Sequence, residues 1–296
     1  MTTIPIVFTF DKRIVLGATV AIKSLLETAS ETTTYSVYVI HPNLSSNDIC
    51  AYKEIFKNTR HSIEFIHVLP AYFIGLPKNN KSWTEIVYYR FLALEYILNF
   101  EKAIFSDVDV LFKSDLSELY STDITDYEFA AVRAEKNTPQ AIGHKYFPEN
   151  KNQYIYWSGL LLMNLSLMRR NKTLQNIISI ARQFNKRLKF FDLDAMNIAC
   201  NSFKALPFKY VTLEEIYVCD DIEKCKDWCF LKNVYTKQEL EDAKENPAIV
   251  HYAGVLGKPW HRKQPPKEYQ KYINSIPKKL RRKTFRDWRK ILFSKI

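Results

Sequence analysis

Apolar residues recur along the first third of the chain in two alternating rhythms. IPIVFTF (4–10), YSVYVI (35–40) and SIEFIHV (62–68) have the length and the β-branched and aromatic content of strands. Between them, GATVAIKSLLETA (17–29) and SSNDICAYKEIFKN (45–58) return their apolar positions at helical spacing, and the second opens on serine, a favoured cap. TEIVYYRFLALEYIL (84–98) predicts a third helix and KAIFSD (102–107) a fourth strand. Strands separated by helices of this length predict an α/β fold, Rossmann-like in outline, with parallel strands and right-handed crossovers. Further on, 128–134, 154–165 and 248–254 read as strands, and 165–187 and 191–202 as helices. No repeat or linker interrupts the pattern before about Pro265, so residues 1–265 are expected as one domain and 266–296 as a tail. The turn after the first strand reads DKRIVLG rather than G-x-G-x-x-G, which disfavours a dinucleotide cofactor.

One strand carries an anomaly. KAIFSDVDVLF (102–112) places Asp107 and Asp109 within a run of Ile, Phe, Val and Leu. An ionised carboxylate withdrawn from water without a partner costs several kcal/mol or more. A helix cap, a basic partner or a metal ion could each offset that cost. Two residues apart on extended backbone, both acids face one side, at the carboxyl end of a sheet strand where α/β folds bind ligands. Paired hard oxygens suit Mg2+ or Mn2+, which complete their shells with substrate phosphates.

Composition changes the picture at two places. Hydrophobic content of 47% and charged content of 25% are those of a globular protein, but the net charge of +11 is uneven. Residues 278–296 hold nine Lys and Arg against Asp287 alone, so eight of the eleven net charges sit in the tail. On one helix, Leu280, Phe285, Trp288, Ile291, Leu292 and Ile296 would share a face opposite Lys279, Arg282, Lys283, Arg286 and Lys290. That pattern predicts attachment to an anionic membrane surface through 278–296. The nearly neutral body and the lack of a reader motif disfavour nucleic acid. The five cysteines are odd in number and unevenly spread, which predicts no disulfide framework and a reducing compartment. The spacing of Cys219, Cys225 and Cys229 fits no common zinc knuckle. With no secretory pattern at MTTIPIVFTFDKR and no apolar run of membrane-spanning length, a cytoplasmic location at the inner membrane face is expected.

Five segments, in order from Ile4 to His261, together resemble a known family: IVFTFDKRIVLGATVAIKSLL, YYRF (88–91), FSDVDVLFKSDLSELY, DLDAMN (192–197) and HYAGVLGKPWH (251–261). They are similar to the boxes of the family 8 glycosyltransferases, which include bacterial lipopolysaccharide galactosyl- and glucosyltransferases and glycogenin. The resemblance implies a GT-A type nucleotide-sugar-binding fold, a mixed sheet flanked by helices. It also implies retaining transfer from a UDP-sugar to a glycan or glycolipid acceptor. By the same resemblance, Asp107, Asp109 and His251 would bind Mn2+ (or Mg2+), and Lys258 would hold the donor diphosphate. Thr9, Asp11, Arg13, Val108 and Gly254 would contact the nucleotide. Arg90, Trp157, Ser158, Asp192 and Leu193 would line the donor-sugar and acceptor pocket, with Asp192, Asp194 and Arg90 as the catalytic set.

The departures from the family pattern are specific. Gly254 and Lys258 are four residues apart where the family has three, and Arg13 replaces a usual Asn. The family's Gln beside the anomeric carbon is Leu193, its sugar-contacting Asn is Trp157, and a further acid is Ala134, followed by Glu135. Three sugar-facing positions are thus apolar, which predicts a donor bearing an acetamido or deoxy group rather than galactose or glucose. Leu193 excludes a nucleophile at its position, so a front-face displacement is expected. Two rival functions stay open: a nucleotidyltransferase, disfavoured by only six glycines, and a catalytically weak carbohydrate-binding or adaptor protein on the same scaffold.

Overall fold

The computed structural model describes residues 2–69, 73–78, 84–254 and 256–293, with only the backbone of Phe285, Arg286 and Phe293. Its first half alternates β1 (Thr2–Thr9), α1 (Val15–Glu27), β2 (Thr33–His41), α2 (Ser46–Phe56) and β3 (Ser62–His67). A 3-10 helix (Glu85–Leu92) and α3 (Ala93–Tyr96) lead into β4 (Lys102–Ser106). Then come β5 (Val110–Phe112), α4 (Ser117–Ser121), β6 (Phe129–Lys136), β7 (Tyr154–Asn164), α5 (Leu165–Arg170), α6 (Thr173–Gln183) and α7 (Asp192–Ala199). The remainder is β8 (Phe203–Leu206), β9 (Thr212–Leu213), α8 (Glu214–Val218), α9 (Trp228–Leu231), α10 (Lys237–Glu245), β10 (Ile249–His251), α11 (Lys267–Ser275) and α12 (Phe285–Phe293).

Seven strands form one sheet in the order β3-β2-β1-β4-β7-β6-β8. The parallel reading holds for β3 to β4, but β7 runs antiparallel to both β4 and β6, so the sheet is mixed. Side chains alternate across it: Ile4, Ile6 and Phe8 of β1 join the core under α1 and α2, while Val7 joins the core under α5 to α7. A second sheet, β5-β10-β9, pairs β10 antiparallel with β5.

Several predicted elements differ in form. The helix expected over 84–98 is mostly 3-10, and the side chain of Arg90 takes the Val87 carbonyl within it. The helix over 165–187 breaks at Lys172, whose φ of 53° ends α5 and restarts the chain as α6. Cys219 and Cys225 are disulfide-bonded, contrary to the expectation from cysteine number. The one-turn 3-10 helix Ile222–Lys224 folds the segment back, bringing their Cα atoms to 6.5 Å.

The continuous helix expected over 278–296 is two pieces. A 3-10 turn (Lys278–Leu280) buries Leu280 in the main core, and α12 starts afresh at Thr284. Thr284 and Asp287 form a reciprocal cap there: Asp287 Oδ2 accepts from Thr284 N at 2.6 Å, and Thr284 Oγ1 from Asp287 N at 3.2 Å. Upstream, Tyr269 and Ile276 are buried in a cluster with Trp260 and residues of α1. Ile296 and the side chains of Phe285 and Arg286 lie outside the described residues.

Candidate active site

β4 ends at Ser106, so Asp107 and Asp109 lie in the turn joining the large sheet to the small one, not inside a strand. Backbone bonds fix that turn on both sides: Asp107 N donates to Gly159 O and Tyr252 N to Asp109 O, each at 2.8 Å. The antiparallel register of β5 and β10 sets His251 opposite Val110, directly beside the acids. His251 Nε2 lies 3.3 Å from Asp109 Oδ1 and 3.9 Å from Asp107 Oδ2. Among the described residues these three form the one group of His, Cys, Asp or Glu poised for a metal, with one ligand atom from each all within 4.8 Å. Two carboxylate oxygens and an imidazole nitrogen fit Mn2+ or Mg2+ chemically.

Gly159 makes the approach possible. A Cβ there would stand 2.6 Å from His251 Cε1 and 3.1 Å from Asp107 Oδ2. Glycine inside a strand marks such close contacts, so W-S-G carried a signal that the sequence reading left unused.

Basic groups surround the acids. Buried Arg90 donates to Asp107 Oδ1 at 3.2 Å and to the Ser158 carbonyl, and its guanidinium lies 4.4 Å above the Phe105 ring. Its Nε is also 3.3 Å from Asp192 Oδ2. Lys258 bonds Asp109 and the Tyr252 carbonyl, so the extra residue before it does not prevent it from reaching the acids. Gly254 and Gly257 take φ of 101° and 72°, conformations open to glycine, and residue 255 lies outside the described residues. A buried bidentate pair, Arg262 with Glu214, anchors the far end of the same loop.

Burial and neighbours split the carboxyls electrostatically. Burial raises Asp107, which Arg90 opposes and Asp109 reinforces. Burial acts the same way on Asp109, but Lys258 and His251 outweigh it and hold that carboxyl below its usual range. Asp192 is pushed up to about 6 by burial, against Arg90 and with the help of Asp107.

The expected catalytic trio does not converge. Asp192 and Asp194 are two residues apart on α7, roughly 200° around a helix, so they face opposite ways. Asp194 Oδ2 accepts from Lys189 N at 2.6 Å and Phe190 N at 2.8 Å; it ties down the preceding loop. Phe191, with φ 43°, makes the turn that aims Asp192 at Arg90.

The nucleotide candidates hold the ends of β1 and β4. Thr9 closes β1, and Asp11 is buried with both oxygens on Arg13, at 2.8 Å to its N and 2.7 Å to its Nε. Arg13 Nη2 reaches Thr84 Oγ1 at 3.1 Å, a residue that sequence reasoning did not single out. The Val108 side chain is buried in the main core, between the two acids of the turn. Leu193, Ala134 and Ile155 form one apolar cluster, with Trp157 and Phe190 against it. The three family departures are therefore neighbours. Glu135, beside Ala134, instead holds the loop at 142–144 by accepting from three backbone N–H groups.

Comparison with known proteins agrees with this geometry. The sequence profile of glycosyl transferase family 8 matches residues 5–264. A lipopolysaccharide 1,2-glucosyltransferase of Escherichia coli is 24% identical over 256 residues, covering 85% of this chain and 71% of that protein. A lipopolysaccharide 1,3-galactosyltransferase of Salmonella typhimurium is 23% identical over 268 residues, covering 86% and 72%. The galactosyltransferase LgtC, solved with donor and acceptor sugar analogs, superposes with a TM-score of 0.75 at 22% identity, covering 94% of this chain and 99% of LgtC. The bifunctional glycosyltransferase WbbM superposes at 0.71 and 18% identity over 98% of this chain, which spans only 52% of WbbM. These structures share the GT-A type fold. With the profile spanning nearly the whole chain, the protein belongs to glycosyl transferase family 8 and is a glycosyltransferase.

Proposed function

We propose that the protein is a metal-assisted, retaining transferase that moves a sugar from a UDP-sugar to a cell-surface glycan or glycolipid at the inner membrane face. The observation that carries this reading is the convergence of Asp107, Asp109, His251 and Lys258, with Arg90 linking them to Asp192. Asp107, Asp109 and His251 would hold the ion, which when bound supplies charge neutralisation and Lewis acidity toward a diphosphate. Lys258 exchanges Asp109 for a phosphate oxygen as a point charge. Arg90, already fixed by the Ser158 carbonyl and Phe105, presents planar donors to sugar oxygens, and Asp192 accepts from a donor hydroxyl. Leu193 is apolar and Asp194 is occupied by backbone N–H groups, so neither offers a nucleophile to the anomeric carbon, and Asp192 is held by Arg90. A departing phosphate oxygen of the donor takes the acceptor proton, while the protein supplies position and charge.

The apolar cluster at Leu193, Ala134 and Trp157 supports a donor carrying an acetamido or deoxy group. It also favours a second reading, a binding or adaptor protein that has lost turnover. UDP release from a panel of UDP-sugars with and without Mn2+ decides: metal-dependent turnover is expected, and binding of UDP-sugar with none overturns the enzymatic reading.

Membrane attachment is supported by α12, where Trp288 and Leu292 are 55% and 69% exposed. Among the described residues no helix is long and apolar enough to cross a membrane.

A further inference from the structure

Away from the metal ligands, a cavity of about 380 Å3 opens where three segments meet. Lys12 and Arg13 enter from the turn after β1, and Asn43, Ser45 and Asp48 from the start of α2. Arg282 and Thr284 come from the stretch leading into α12. Three cations therefore face one carboxylate.

That carboxylate is fully engaged. Asp48 receives Arg282 through both oxygens, Nη1 to Oδ1 at 2.6 Å and Nη2 to Oδ2 at 2.7 Å, and it caps α2 with Ser45. It cannot also serve Lys12, whose ammonium has no ion pair or hydrogen bond among the described residues. Asn43 accepts from Lys12 N through Oδ1 at 3.1 Å, which leaves its amide N–H groups to donate. An exposed, unpaired ammonium and amide donors that line one cavity of ligand size suit a compact anion with several acceptor oxygens.

Position selects the source of that anion. Thr284 lines the cavity and also begins the cap of α12, whose Trp288 and Leu292 are exposed and followed or flanked by Arg289 and Lys290. A phosphate held by Lys12 therefore sits beside the start of the amphipathic helix, which Asp287 ties to His261 of the body while Trp288 and Leu292 stay exposed. We infer that this cavity binds the phosphate of an anionic phospholipid headgroup, with Lys12 as its principal cation, while α12 lays its apolar side chains on the bilayer. The inference rests on the membrane-facing reading of α12. Arg13 belongs to both the cavity and the pair with Asp11, so headgroup binding bears on the loop proposed for the nucleotide.

The test uses the full chain, its Lys12→Glu variant, and Lys57→Glu, an equal charge change at the exposed far end of α2. Calorimetric titration with glycerol 3-phosphate reads the cavity alone; co-sedimentation with phosphatidylcholine vesicles, with and without phosphatidylglycerol, reads the lipid. Lys12→Glu is expected to weaken both glycerol 3-phosphate and phosphatidylglycerol binding by about tenfold or more, the scale of one charge-assisted contact, while Lys57→Glu leaves them near wild type. Equal losses in the two variants would reduce the effect to non-specific charge and overturn the site. Binding of glycerol 3-phosphate through Lys12 without any wild-type vesicle binding would overturn the lipid assignment together with the membrane reading. Vesicle binding indifferent to Lys12 would overturn the site and leave that reading standing.

Discussion

Gly159 lies directly beneath His251: the missing Cβ would stand 2.6 Å from the imidazole Cε1. Its φ lies outside the left-handed range, so alanine is allowed by the backbone and the clash falls on the ring. Gly159→Ala is therefore expected to shift His251 and lower Mn2+ affinity by roughly tenfold or more, the scale seen when ligand orientation is disturbed. Electron paramagnetic resonance titration of Mn2+ measures this; unchanged affinity would remove His251 from the ligand set.

Asp109 and Asp194 should behave oppositely. Asp109→Asn is expected to abolish Mn2+ binding and UDP release. Asp194→Ala unpairs two backbone N–H groups and should cost about 1–3 kcal/mol for each one left buried, while keeping metal affinity. Thermal melting alongside the Mn2+ titration separates the two, and loss of Mn2+ binding in Asp194→Ala would contradict its assignment as a loop anchor.

Asp192 predicts a stability–function conflict. Its folded pKa of about 6 stands above the ordinary 3.8, so the folded chain holds this proton more tightly than the unfolded one. Its contribution is thus most favourable below about pH 4 and is lost as pH rises through about 6. The difference amounts to about 3 kcal/mol in the absence of metal. Asp192→Asn should gain stability over wild type at pH 7.5, show little difference at pH 4, and lose transfer activity. A stability difference that does not change with pH would refute the sign.

Donor choice should follow the apolar cluster. Wild type is expected to turn over UDP-N-acetylhexosamines or UDP-deoxysugars at least tenfold faster than UDP-galactose and UDP-glucose, within the range that pocket contacts provide. Leu193→Gln combined with Trp157→Asn should narrow that preference. A wild-type preference for UDP-galactose would end the donor proposal.

Replacing Trp288 and Leu292 by Ala removes two exposed apolar side chains from α12. The double variant should sediment less with anionic vesicles and keep its UDP release on soluble acceptors. Equal sedimentation would place membrane attachment elsewhere.

Much of this was legible beforehand because it depends on local pattern. The strands and helices of the first half follow apolar periodicity, and Asp107, Asp109, His251, Lys258 and Arg90, all singled out from the sequence, lie together in one site. Other features had local signals that went unread. T-x-x-D at 284–287 marks the cap that starts α12, and the glycine of W-S-G marks a close approach. Asp194 accepts from Lys189 N and Phe190 N, an engagement that its place in D-L-D does not announce.

By itself the sequence determined which chemistry the chain carries: two acids in an apolar run, an imidazole, a lysine and an arginine, and apolar residues at 134, 157 and 193. Only the tertiary structure decided how those groups meet. The pairing of β5 with β10 spans more than 130 residues and brings His251 to Asp109, a register that depends on long-range hydrogen bonds and no local rule. Likewise, Leu193 packs with Ala134 in one buried cluster and Lys12 lines one surface cavity with Arg282 because separate segments meet there, and a linear pattern does not contain that distance.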